Sequence, residues 1–149
     1  MGAECPDFPT LVAPIHHWSR VRAAKRAFAD GARCFDFATF ADAVGRRVAV
    51  ISSGDDPATA WVDTEAGVLD QLIEFCAIIA TGRAAAIAGP DWTNAQRRAM
   101  RAALPREPFE QCEPVSERPF YAGFTSGTTG VPKGFLRSHR SWTESFRSA

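Results

Sequence analysis

From Phe120 to Gly134 the chain passes from a short apolar run into a stretch of hydroxyls and glycines, then leaves it through Pro132-Lys133. Phe120-Tyr121-Ala122-Gly123-Phe124 has the aromatic content and length of a strand. Thr125-Ser126-Gly127-Thr128-Thr129-Gly130-Val131 then reads as a loop. Its chemistry suits a polyphosphate: glycines let backbone N–H groups approach anion oxygens, hydroxyls add donors, and Lys133 supplies a fixed cation. The spacing is not that of a Walker loop, because Gly130 is followed by Val-Pro-Lys-Gly, so kinase and GTPase chemistry is disfavoured. A flexible Ser/Thr/Gly linker has similar composition. Against that reading stand the strand in front, the Pro-Lys end and the continuation Phe135-Leu136-Arg137-Ser138-His139.

The rest of the sequence limits the setting of this loop. A chain of 149 residues suits one domain, and 46% apolar with 23% charged residues is a globular balance. Lys plus Arg and Asp plus Glu are equal at 17 each, so no global field recruits nucleic acid or anionic lipid. Two basic clusters, Arg20/Arg22/Lys25/Arg26 and Arg97/Arg98/Arg101, read as solvated faces of helices. Cys5, Cys34, Cys76 and Cys112 are scattered without a Cys-x-x-Cys pair, which predicts reduced thiols and neither disulfides nor zinc. The His16-His17 pair has no third ligand nearby in sequence. No signal peptide is read at Met1, Pro6 breaks a myristoylation motif, and the apolar run Leu72–Ala80 is too short to span a bilayer. A soluble, cytoplasmic protein is expected.

Along the chain, residues 1–17 read as an extended lead-in. Ser19 is a candidate N-cap for a helix through Phe28 that Gly31 would end. Arg33 to Phe37 predicts a strand, and Thr39 would cap a short helix stopping at Gly45. Arg47-Val48-Ala49-Val50-Ile51-Ser52 has the pattern of a buried strand closed by a turn at 53–57. Val68, Leu69, Leu72, Ile73, Phe75, Cys76, Ile78 and Ile79 give the strongest helix signal, with a wide apolar arc and a stop at Gly82. Ala84–Ala88 reads as a strand of small residues, Asn94–Leu104 as a helix, and the proline-rich 105–119 as a surface loop. Alternating strands and helices predict an α/β fold with a mostly parallel sheet flanked by helices. In such sheets ligands lie beyond the carboxyl ends of the strands, where the loop after Phe124 would be.

Thr125-Ser126-Gly127-Thr128-Thr129-Gly130-Val131-Pro132-Lys133 resembles the phosphate-loop signature of the adenylate-forming, or AMP-binding, superfamily that includes bacterial acyl-CoA synthetases. Eight fixed positions agree. At roughly one chance match in fifteen per position, the coincidence falls below about one in a billion. Two weaker similarities precede it in the right order. Phe37-Ala38-Thr39-Phe40-Ala41-Asp42-Ala43-Val44 resembles the family's strand-to-helix motif, without an acid and a leucine near its end. Ile79 through Pro90 resembles its helix-Gly-strand motif, with Ala88-Gly89 where Leu-Asp is usual. The run from Phe135 to Phe146 resembles bacterial fatty-acyl-CoA synthetases.

The resemblance covers roughly residues 35–146 and implies a partial amino-terminal AMP-binding domain over 1–149. Its parts would be the lead-in 1–17, an α/β core 18–119, and a strand, phosphate-binding loop and following helix over 120–149. The implied reaction joins a carboxylic acid to ATP, expels pyrophosphate, and passes the acyl group to coenzyme A or a carrier-protein thiol. By resemblance, Thr125, Ser126, Thr128 and Thr129 donate to the outer phosphates, Gly127 and Gly130 let the loop fold around them, Thr128 lies nearest Mg²⁺, and Lys133 is the catalytic cation. His139 matches a family position at the start of a helix, either near the acyl pocket or packing that helix. Trp142 and Phe146, at i and i+4, read as helix-packing residues rather than pocket walls. The family's later motifs (adenine-binding stretch, Mg²⁺-holding glutamate, ribose-binding aspartate, hinge and carboxy-terminal lysine) are not among these 149 residues. The chain alone is therefore expected to be inactive, to need the remaining carboxy-terminal portion of the same enzyme, and to leave apolar edges uncovered. An adenylation unit of a peptide synthetase or siderophore pathway, and a non-catalytic nucleotide-binding remnant, are the alternatives.

Overall fold

A computed structural model describes residues 7–52, 57–109, 113–125 and 133–147. The order of elements is α1 (Ala13–Val21), β1 (Arg26–Asp30), β2 (Arg33–Asp36), α2 (Phe37–Ile51), β3 (Thr59–Trp61), α3 (Val68–Ala80), β4 (Ala84–Ala86), α4 (Asn94–Ala103), β5 (Pro119–Thr125), β6 (Lys133–Ser138) and α5 (His139–Arg147), with a 3₁₀ turn at Val115–Glu117 before β5. The architecture is α/β, as expected. The sheet is mixed: in the order β3-β4-β5-β6 the first two pairings are parallel and β5–β6 is antiparallel, while β1 and β2 form a separate antiparallel hairpin. "Mostly parallel" is therefore too strong a description.

β4 explains why the sheet can be covered on both sides. Ala84, Ala85 and Ala86 are completely buried. Ala85 packs on one face with Val12, Val62, Ile78, Ile79 and Phe120, beneath α1 and α3. Ala86 packs on the other face with Leu104, Ala122, Trp61 and Phe124. Successive strand residues alternate between faces, so a strand of small residues lets both layers close on the sheet. A third cluster (Phe40, Val44, Cys76 and Ala77) joins α2 to α3, and Arg47 donates to the Glu74 carboxylate across the same pair of helices.

Several local expectations are corrected. The lead-in becomes helical from Ala13, with Pro14 in the first turn, where its missing N–H costs nothing. Ser19 lies inside that helix and donates to His16 O. The helix expected to run on to Phe28 ends at Val21. Arg26–Asp30 is instead a strand, and Gly31 (φ +56°) turns it into β2 with Asp30 opposite Arg33. The basic cluster at 20–26 is consequently spread over a helix end, a loop and a strand. Asp36, not Thr39, is the N-cap of α2. Its carboxylate accepts from Thr39 N at 2.7 Å, and the Thr39 hydroxyl returns the contact to Asp36 N. That helix continues through Gly45 to Ile51, so 47–51 is helix rather than strand.

The expectations for β2, α3, β4, α4 and β5 hold to within a few residues. α4 opens on a Thr93–Gln96 capping box. Most of the turn expected at 53–57 lies outside the described residues. Among the described residues no helix is long and apolar enough to cross a membrane.

Candidate functional site

Thr125 is the last residue of β5 and Lys133 the first of β6, and the two are register partners at the mouth of the hairpin. Lys133 is thus a strand residue rather than the end of the loop. The Thr125 hydroxyl donates to Lys133 O at 3.4 Å, a long bond across the neck. Both residues are exposed. Ser126, Gly127, Thr128, Thr129 and Gly130 lie outside the described residues, as do Val131 and Pro132. The fold therefore brings together the two flanks of the expected phosphate loop. It does so at the carboxyl end of β5, next to the carboxyl ends of the parallel strands β3 and β4.

Beneath this mouth is an aromatic group that sequence reasoning missed. Phe124 stacks on Trp61 with ring centroids 5.6 Å apart and planes 11° apart. Trp92 meets Phe124 edge-on at 4.9 Å and Trp61 at 6.2 Å. The Arg101 guanidinium lies 5.3 Å from the centre of the Trp61 ring. Trp61 ends β3, Trp92 lies in the loop after β4, and Arg101 is on α4. No linear pattern connects them, and only the sheet brings them together.

His139 opens α5, as its resemblance implied, and its surroundings show packing. It is 3% exposed, stacks on Phe120 at 5.0 Å, and its Nδ1 accepts the Leu11 N–H at 3.2 Å. Burial, and secondarily the Arg118 charge, depress its pKa to about 4. At neutral pH it is an uncharged acceptor. Trp142 touches Phe120 and Phe146, yet Trp142 is 39% and Phe146 65% exposed. With Tyr121, Phe135, Arg137 and Ser145 these two line an open cavity of about 380 Å³. A second, almost wholly apolar cleft of about 270 Å³ lies between α1, β1, α2 and α3, with Cys76 in its lining. Burial pushes the Cys76 thiol up to about 12. No cluster of three or more His, Cys, Asp or Glu that could hold a metal occurs among the described residues. His17 contacts the rings of Phe8 and Trp18.

The family model for AMP-binding enzymes matches residues 35–149. This chain belongs to the AMP-binding enzyme family. Over 40 residues it is 62% identical to the uncharacterized acyl-CoA ligase YhfT of Bacillus subtilis (strain 168), a stretch covering 27% of this chain and 8% of that one. Its fold resembles the Klebsiella oxytoca NpsA N-terminal subdomain solved with 3-hydroxybenzoyl-AMSN (TM-score 0.71, 15% identity, 88% of this chain and 41% of that one). It also resembles the fatty acyl-adenylate ligase from L. pneumophila solved with acyl adenylate and pyrophosphate (TM-score 0.71, 15% identity, 95% of this chain and 32% of that one). The chain thus spans less than half the length of each of these AMP-binding and similar proteins.

Proposed function

We propose that this chain is the amino-terminal portion of an ATP-dependent acid–thiol ligase. The complete enzyme would convert a carboxylate, a fatty acid in this reading, and MgATP to an acyl-adenylate and pyrophosphate. It would then transfer the acyl group to coenzyme A. The observation that carries the reading is the hairpin mouth: Thr125 and Lys133, the two described ends of the signature, face each other across one register pair at the carboxyl edge of the parallel strands. The family match and the local identity to an acyl-CoA ligase support it.

The chemistry assigns work to these residues. A carboxylate approaching a triphosphate meets like charge, and two unit charges at 4 Å repel by about 4 kcal/mol at an effective dielectric of 20. The Lys133 ammonium would offset that repulsion and stabilise the departing pyrophosphate. The hydroxyls of Thr125, Ser126, Thr128 and Thr129 would donate to the outer phosphates, Gly127 and Gly130 would let the backbone close on them, and Thr128 would face the Mg²⁺ that arrives with ATP. His139 has no part in the step, since its acceptor nitrogen is engaged and its ring is buried. The reading places the protein in the cytoplasm, and this portion alone would not complete the reaction.

The test is carboxylate-dependent exchange of pyrophosphate into ATP by the complete enzyme, assayed with fatty acids, aryl acids and amino acids, followed by thioester formation on addition of coenzyme A. Exchange supported by fatty acids and a coenzyme A thioester are expected. Exchange supported by amino acids alone would transfer the reading to a peptide-synthetase adenylation unit.

A further inference from the structure

Phe124 immediately precedes Thr125, and its ring is held from three directions. Trp61 of β3 lies parallel to it, Trp92 meets it edge-on, and on the β6 side a Cβ built on Gly134 would fall 3.6 Å from its Cε1. Gly134 is its register partner and the neighbour of Lys133. Trp92 is itself fixed against the chain: a Cβ on Gly89 would lie 2.6 Å from its Nε1. Trp61 contacts both Arg101, whose guanidinium lies 5.3 Å from its ring centre, and Phe124 at the hairpin neck. β3 has only three residues and, among the described strands, pairs with β4 alone, so the position of this ring comes from its packing as much as from its strand.

We propose that Trp61 is a positioning residue for polyphosphate binding. In contact with both Arg101 and Phe124, it fixes the direction in which β5 delivers Thr125 and, through the register pair, Lys133. This rests on the assignment of that hairpin mouth to phosphate. Removing the indole leaves Phe124 free to leave Gly134 and lets the neck tilt. A phenylalanine at 61 keeps a flat ring against Phe124 and preserves the direction.

The experiment is calorimetric titration of the complete enzyme with inorganic pyrophosphate in the presence of Mg²⁺, at fixed ionic strength, alongside thermal melts. Trp61→Ala should weaken binding roughly 5–10-fold, the scale of one lost aromatic pair, and Trp61→Phe should restore it to within about twofold. Arg101→Gln removes an exposed side chain. It should weaken binding by about twofold without a matching fall in melting temperature. Trp18→Ala removes contacts to Phe37 and Arg22 and should lower the melting temperature while leaving affinity alone. Binding by Trp61→Ala equal to that of the parent chain overturns the positioning role alone. Affinity losses that simply track melting temperature across all four variants overturn it too. No binding by the unsubstituted complete enzyme overturns both this role and the phosphate assignment beneath it.

Discussion

The Nδ1 of His139 accepts the backbone N–H of Leu11 at 3.2 Å, tying the start of α5 to the segment before α1 across 128 positions. Protonation would remove this acceptor and place a charge against Phe120 and beside Arg118. The folded-state pKa of about 4 lies below the 6.5 of an unhindered imidazole, so the unfolded chain takes up the proton first as pH falls. The stability held by this group is complete above about pH 6.5 and is lost as pH falls towards 4. About 2 kcal/mol should be gone at pH 5 and about 3 kcal/mol at pH 4. Denaturant titrations of the parent chain and His139→Gln at pH 7 and pH 5 measure this: the gap between them should narrow by about 2 kcal/mol at pH 5. A constant gap would mean that the imidazole titrates normally.

The Phe135 ring lies over Gly123, its partner across the hairpin. A Cβ at 123 would come within 2.3 Å of Phe135 Cζ and 2.8 Å of Tyr121 Cε1. Gly123→Ala should cost about 1–2 kcal/mol by overpacking, and Phe135→Leu in the same chain should recover part of it. The non-additivity read from a double-mutant cycle of unfolding free energies is the check. Strictly additive effects would show that the ring moves aside freely.

The elements that could be read from the sequence are those whose signals are local and consistent. α3 carries its apolar arc and its Gly82 stop in one window, β4 is a run of small residues between glycines, and α4 starts at a capping box that two residues, Thr93 and Gln96, define. Where local preference and tertiary packing disagree, packing wins. Val48, Val50 and Ile51 favour a strand, yet Val48 and Ile51 pack on the α2–α3 cluster while Val50 stays 70% exposed, as a helical face requires. The same competition explains β1, whose pairing with β2 overrides the helix suggested between Ser19 and Phe28. At the candidate site the signature itself could be read, because its chemistry is contiguous. Its support could not. Trp61 sits on a three-residue strand too short to show a period, and its partners come from a loop and a helix distant in sequence.

The two described cysteines should differ sharply in reactivity. Cys34 is exposed, whereas Cys76 is buried and its thiol is pushed up to about 12. Peptide mapping after brief iodoacetamide treatment at pH 8 should find Cys34 alkylated and Cys76 intact, with Cys76 reacting only in denaturant. Rapid modification of Cys76 in the native chain would mean that the apolar cleft beside it opens to solvent.

Lys133 is the residue on which the proposed chemistry turns. It should be measured in the complete enzyme by carboxylate-dependent exchange of pyrophosphate into ATP, comparing the parent with Lys133→Ala. Loss of one preorganised charge-stabilising contact predicts a fall of about 10²–10³-fold, with folding intact by circular dichroism. Exchange at the parental rate would contradict the assignment of the β5–β6 hairpin mouth to the phosphates of ATP.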